Sequence, residues 1–140
     1  MNGSSMTRSD IQKELDSSPF ISFMQMTCTE MDTNAGTMTI TMPMRPELER
    51  GAGTGQFHGG AIASLIDTVG DFAVVMVTGG IVPTINFRVD YLRPAFGKYL
   101  TGKALIRRVG RTIGVIDVDI YDESGKLTAV GRGCYGTSNS

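Results

Sequence analysis

His58 is the only histidine of the chain, and it stands in Gly55-Gln56-Phe57-His58-Gly59-Gly60, a glycine-rich loop that runs straight into a long apolar segment at residues 61–77. That segment carries two carboxylates, Asp67 and Asp71, four residues apart. A helix starting near Gly59 would offer unpaired backbone N–H donors and the positive end of its macrodipole at the glycines. A carboxylate held in an apolar stretch can take up a proton or attack an electrophile. Four residues is one helical turn, so two enclosed carboxylates at this spacing raise each other's pKa.

A helix is what the spacing predicts. From about Gly59, Ile62, Leu65, Ile66, Val69, Ala73, Met76 and Val77 recur every three or four residues and form a wide apolar stripe. Gly60, Ala63, Ser64, Asp67, Gly70, Asp71 and Val74 fall on a second face of small and acidic residues, suited to close packing. A short helix is expected before it, capped by Ser9 or Asp10, carrying Ile11 and Leu15 inward and ended by Pro19. Residues 20–31 are apolar and threonine-rich and read as a strand. Asn34-Ala35-Gly36 is a turn, and Met38, Ile40 and Met42 alternate toward a core. Pro43 and Pro46 stop that strand, and residues 47–57 form a loop with three glycines.

Beyond Gly79-Gly80 the pattern is strand-like to the end. Ile85, Phe87, Val89 and Tyr91 alternate with Asn86, Arg88, Asp90 and Leu92. Strands follow at residues 100–109, around Ile116, Val118 and Ile120, and after the hairpin signal Asp122-Glu123-Ser124-Gly125. An antiparallel sheet has one apolar face to cover, and one long apolar helix is available to cover it. The fold class expected is therefore α+β: a curved antiparallel sheet wrapped around one central helix. Residues 1–18 read as a tail and short helix and residues 19–140 as a single domain, with residues 1–5 disordered or extraneous.

With 140 residues and a net charge of -1, the chain has no field to concentrate polyanions, which argues against nucleic acid. Cys28 and Cys134 are the only cysteines and form no Cys/His cluster, so neither a metal nor a redox cofactor is expected; they read as reduced thiols of a cytoplasmic protein. Asp67, Gly70 and Asp71 interrupt the apolar run, so no membrane span is expected.

Three stretches in order, HGGAIASLID from His58, NFRVDYLRPA from Asn86, and RVGRT from Arg108 followed by VDIYDESGK from Val118, resemble the hotdog fold over roughly residues 20–137. More narrowly, the chain is similar to the acyl-CoA thioesterases of the phenylacetate-pathway (PaaI-like) type. The resemblance implies hydrolysis of a thioester to a free acid and coenzyme A. It places the oxyanion donor at Gly59, where glycine leaves the backbone open to substrate. It makes Asp67 the general base or the nucleophile, and sequence leaves these two open. His58 orients the loop or binds the thioester, the alternative being a structural histidine; Thr84 matches a hydroxyl that holds the water or the carboxylate. Some relatives have Asn or Gln six residues before the histidine as a second donor; here that position is Ala52, with Gln56 or Thr54 as substitutes. Gly60, Gln56 and Asp71 are expected at the substrate. Asp71 either modulates the base, points to solvent or pairs with an arginine such as Arg88. Arg93, Arg108 and Arg111 are the arginines favoured for the coenzyme A phosphates.

Eight residues separate Gly59 from Asp67, about 12 Å along a helix axis. One carbonyl needs both groups within about 3.5 Å. One helix cannot serve both, so a homodimer, or a dimer of dimers, with composite sites is expected. The rival readings are a non-catalytic hotdog module that binds acyl-CoA and a hotdog dehydratase.

Overall fold

A computed structural model describes residues 6–138. Its elements are α1 (Arg8–Ser17), α2 (Pro19–Met24), β1 (Thr27–Asp32), β2 (Thr37–Pro43), a 3-10 turn (Pro46–Leu48), α3 (Gly59–Thr78), β3 (Thr84–Tyr91), β4 (Tyr99–Val109), β5 (Ile113–Asp122) and β6 (Leu127–Gly136). All strand pairings are antiparallel, in the order β1-β2-β4-β5-β6-β3. α3 packs against β2, β3, β4, β5 and β6, so the sheet wraps it, the arrangement expected from the sequence.

The core lies between that helix and the inner face of the sheet. Leu65, Ile66, Val69 and Ala73 of α3 are fully buried, as are Ile40 and Met42 of β2, Leu100 of β4 and Ile116 and Ile120 of β5. In β2, β4 and β5 burial alternates because each strand gives one face to the helix and one to solvent. α3 ends at Gly79, whose φ of 81° is a left-handed cap that a glycine adopts without steric cost. α3 is 20 residues long and by length and composition apolar enough to cross a membrane, but 67% of that stretch is buried within the fold, the ordinary state of a core helix.

The N-terminal part departs from expectation. α1 is capped by Thr7, not Ser9 or Asp10: the Thr7 hydroxyl accepts from the Asp10 N–H at 3.1 Å, and the Asp10 carboxylate accepts from the Thr7 N–H at 2.8 Å. Pro19 does not simply end α1; it opens α2, with Ser18 as the cap. The strand read into residues 20–31 is therefore α2, a left-handed Gln25 (φ 56°) and only then β1. The overlooked signal is Ser18-Pro19, a cap residue before a proline at the first helical position. Ile11 and Leu15 of α1 are fully buried in the same core as α3. The reading of residues 1–5 lies outside the described residues.

β3 pairs with β6 alone. Its apolar alternation is the one expected, yet Ile85, Phe87 and Tyr91 remain 53%, 38% and 52% exposed. An edge strand has sheet on one side only, and here its apolar face extends beyond the cover of α3.

Candidate functional site

The start of α3 is fixed from three directions. The Phe57 N–H donates to Ala95 O at 2.9 Å and the His58 N–H to Leu48 O at 2.8 Å. The Glu49 carboxylate accepts from the N–H groups of Gly53 (3.0 Å) and Gly55 (2.7 Å), closing the glycine loop on itself. His58 is the N-cap: its Nδ1 accepts from the Gly60 N–H at 2.8 Å, and its carbonyl accepts from Ala61 and Ile62. The capping bond thus occupies the Gly60 N–H. The Gly59 N–H has no hydrogen-bond acceptor among the described residues, as the first turn of a helix dictates. On the other side, the Tyr91 hydroxyl donates to Gly59 O at 2.7 Å, and its ring carbon would stand 3.3 Å from a Cβ at position 59. Gly59 opens into a cavity of about 520 Å³ lined also by Arg50, Gln56, His58, Tyr91 and Arg93. Of the proposed substitutes for the donor missing at Ala52, Gln56 lines this cavity. The Thr54 hydroxyl donates instead to Gly51 O at 2.7 Å within the loop.

Two turns along α3, Asp67 meets β3 and β6. The Thr84 hydroxyl donates to Asp67 Oδ1 at 2.8 Å, and the Tyr135 hydroxyl donates to the Asp67 backbone carbonyl at 3.2 Å. Burial raises the Asp67 carboxyl above its usual range, and the Thr84 hydrogen bond opposes that shift. Asp71, one turn on, is pushed up to about 7 by burial and by the charge of Asp67. The arginine offered as its partner is elsewhere: Arg88 pairs with Asp90 at 3.1 Å, next but one on its own strand. Asp67 and Asp71 both line a cleft of about 480 Å³ between α1, α2, α3 and β3.

Tyr135 escaped the sequence reading. It is fully buried, with its hydroxyl wedged between α3 and β6: a Cβ on Gly70 would stand 2.4 Å from the hydroxyl oxygen and one on Gly133 2.3 Å. Burial, with the charges of Asp67 and Asp71, holds its pKa far above the ordinary phenol value, so it remains a donor. Gly70, assigned from sequence to a face left open for a partner helix, is instead covered by Tyr135 of its own chain, and Val74 is likewise buried. Gly60, Ala63, Ser64, Asp67 and Asp71 retain exposure on that face.

The arginines do not form one patch within the chain. Arg93 is at the β6 start, its N–H donating to Thr128 O at 3.2 Å. Arg108 and Arg111 flank the β4–β5 turn, at the end where Ile113 pairs with Gly136. The eight-residue step along β6 from Thr128 to Gly136 puts about 27 Å between the two ends. Arg50, not singled out from sequence, is the arginine that joins Arg93 at the Gly59 cavity. The Asp67 cleft and the Gly59 cavity share no lining residue.

The sequence model of the Thioesterase superfamily matches residues 54–129, a span that includes His58, Gly59, Asp67 and Thr84. A Halobacterium salinarum protein provisionally named an esterase is 35% identical over 136 residues, covering 89% of this chain and 88% of its own length. The acyl-coenzyme A thioesterase PaaI of Escherichia coli is 35% identical over 99 residues, covering 69% of this chain and 65% of its own. The solved structure of that PaaI protein superposes with a TM-score of 0.81 at 25% identity, over 94% of this chain and 93% of its own. A thioesterase from Haemophilus influenzae superposes with a TM-score of 0.84 at 25% identity, over 97% of this chain and 93% of its own.

Proposed function

The chain belongs to the thioesterase superfamily and is a thioester hydrolase, and from that premise we propose that it hydrolyses acyl-CoA in the cytoplasm at a site built by two copies of the chain. One observation carries the composite site. A carboxylate held by Thr84 and a helix N–H without an acceptor lie in two cavities with no lining residue in common. A second α3, antiparallel across the exposed Gly60, Ala63 and Ser64, would bring the Asp67 of one protomer beside the Gly59 of its partner. The apolar edge of β3 supports the same assembly, because an unpaired edge is a template for association.

In this reading the Gly59 N–H and the helix dipole stabilise the negative charge that develops on the thioester oxygen. Asp67 supplies the attacking oxygen by one of two routes. As base it takes a proton from water, the hydroxide adds to the carbonyl carbon, the C–S bond breaks, and the proton passes to the departing thiolate. As nucleophile its own oxygen displaces the thiolate and water then hydrolyses the mixed anhydride. His58 serves as the cap that aims the Gly59 N–H, and Thr84 fixes the carboxylate rotamer. Arg50 and Arg93 are placed to pair with the nucleotide phosphates of coenzyme A.

Release of free thiol from a panel of acyl-CoA substrates tests the reaction. An absence of thiol release with retained acyl-CoA binding would establish the binding-module alternative. A single turnover in ¹⁸O-water with enzyme in excess separates the routes. Label in the Asp67 peptide establishes the nucleophile route with water adding to the Asp67 carbonyl of the anhydride, and trapping of an acyl-enzyme by hydroxylamine detects that route where water adds to the acyl carbonyl. The base route gives label only in the acid product and no trapped adduct.

A further inference from the structure

The pairing of β3 with β6 contains one irregularity, and it lies at Asp67. On β6 the residues turned toward α3 are Ala129, Gly131, Gly133 and Tyr135: Ala129 and Tyr135 are fully buried, and a Cβ on Gly131 would press on Ile66 of α3. Tyr91, Val89 and Phe87 of β3 stand opposite the first three, and residues directly opposite in an antiparallel pair share a face. Continued without a break, that register would set Ile85 against Tyr135 and turn Thr84 away from the helix. Instead Thr84 pairs with Tyr135 and Asn86 with Cys134, so Ile85 is an extra residue without a partner on β6, a β-bulge. The bulge turns Thr84 to the helix side, where its hydroxyl reaches Asp67 Oδ1 at 2.8 Å.

The two residues brought opposite each other therefore hold the same target. Thr84 donates to the carboxylate of Asp67, and Tyr135 donates to its backbone carbonyl at 3.2 Å. That carbonyl already accepts the N–H four residues on, as every interior helix carbonyl does, so the phenol is a second donor that fixes the turn from the sheet side. Resting on the proposed role of Asp67, we propose that Tyr135 is a positioning residue of the hydrolysis: across the bulge at Ile85, its hydroxyl and that of Thr84 form a two-ended grip that sets where the Asp67 carboxylate points. Burial raises the Asp67 carboxyl, and both hydroxyls oppose that rise. The titratable groups around it are Asp71 on its own helix, Glu14 of α1 in the same cleft and Tyr135.

Tyr135→Phe tests the grip, because it keeps the ring in its slot and leaves the Asp67 carbonyl its partner within the helix. Misplacing a reacting group by a fraction of an ångström should lower kcat by about tenfold and leave KM within about twofold. The acid limb of kcat/KM should move to higher pH. Because the two hydroxyls act on one residue, the double variant with Thr84→Val should lose less than the product of the single losses. A lower melting temperature with kcat within about threefold of the parent would make Tyr135 a packing residue only and overturn the proposal. If Tyr135→Phe does not fold, Gly70→Ala, which crowds the intact hydroxyl off its acceptor, becomes the deciding variant and should lower kcat alike. The hydrolysis reading fails separately if no acyl-CoA releases thiol. Carbon-13 NMR of the aspartate-labelled, ligand-free protein then decides, with the Asp67 signal identified by its loss in Asp67→Asn. A titration midpoint higher in Tyr135→Phe than in the parent upholds the grip, and an unmoved midpoint overturns it.

Discussion

Asp67 and Asp71 lie one turn apart on α3 and differ in what touches them. Thr84 donates to Asp67, whereas Asp71 has burial and a neighbouring negative charge, so a proton shared by the pair rests on Asp71. Replacing Asp67 by Asn keeps shape and removes the proposed attacking group; turnover should fall by about 10² to 10⁴, with the circular dichroism spectrum unchanged, and activity within tenfold of the parent would exclude the assigned role. Thr84→Val removes the donor that favours the ionised carboxylate. The acid limb of the kcat/KM profile should therefore move to higher pH, and Thr84→Ser should restore it. For Asp71 the sign runs the other way from an ordinary paired carboxylate. Its folded pKa, about 7, exceeds the unfolded value near 3.8, so the folded chain holds the extra proton between them and loses stability as pH rises through that window. Urea unfolding at pH 5 and pH 8 should thus show Asp71→Asn gaining on the parent as pH rises. An equal difference at both values would mean that Asp71 ionises freely in the fold. Asp67 was legible as a candidate because a carboxylate interrupted a long apolar run. Tyr135 was not: a tyrosine in a strand carries no sign that two glycines 63 residues apart, Gly70 and Gly133, have been left bare to receive it.

At the helix start, the side chain of the only histidine is engaged in capping the element that follows it. His58 could be read as a ligand of the thioester or as a structural residue. Its Nδ1 is engaged with the Gly60 N–H, which makes it the N-cap. His58→Ala should cost about 1 kcal/mol of stability and lower kcat, and His58→Asn, a good cap, should recover much of both in thermal melts and assays. The contact of α3 with β6 predicts a coupling. Gly70→Ala adds a methyl where Tyr135 leaves 2.4 Å, an overpacking of about 1 to 3 kcal/mol that outweighs the gain in helix propensity. In Tyr135→Phe the opposing oxygen is gone, so Gly70→Ala should cost less there, with a coupling of about 0.5 to 3 kcal/mol in a double-mutant cycle; strict additivity would show that the two do not meet. Elements with a clean period, α3 and β2 among them, were legible to within a residue or two. α2 was not, because six residues are too few to display a helical period and only the Ser18-Pro19 start marks it. The exposure of β3 was also hidden, since alternation reports which face is apolar and not whether a neighbour covers it.

For the whole molecule the separation of Gly59 from Asp67 is decisive, and it was legible from spacing alone. Asp67→Ala and Gly59→Pro, each inactive, should complement when unfolded and refolded together. Half of the dimers are then mixed and half of their sites intact, giving roughly a quarter of parental activity. Proline is a suitable replacement because Gly59 is the first helical residue and His58 (φ -63°, ψ 141°) is already in the extended region that precedes proline, so the change removes the N–H with only Tyr91 to adjust. A mixture as inactive as its parents, from folded dimers that exchange, would overturn the composite site. Salt should raise KM more than it lowers kcat, and Arg93→Gln should flatten that response more than Arg111→Gln. An equal response in all variants would put the nucleotide elsewhere. From sequence, Arg93, Arg108 and Arg111 are favoured together for the phosphates; strand direction, which sequence spacing does not display, sends Arg93 to one end of β5 and Arg108 and Arg111 to the other.

The sheet order has a further consequence for how the chain comes into being. β3 is made directly after α3, yet its partner is the last strand, β6. On a ribosome, the roughly 45 residues between the end of β3 and the end of β6 emerge over about 2 to 9 s at about 5 to 20 residues per second. Throughout that interval Ile85, Phe87 and Tyr91 have no strand beside them, and Tyr135, which locks α3 to the sheet, has not been synthesised. A nascent chain arrested before Leu127 should therefore be open to protease and bound by chaperones, and one arrested after Gly136, with enough tether to clear the exit tunnel, should acquire resistance in a single step. The fold is closed by its final strand, and until that strand is made β3 has a partner on neither side.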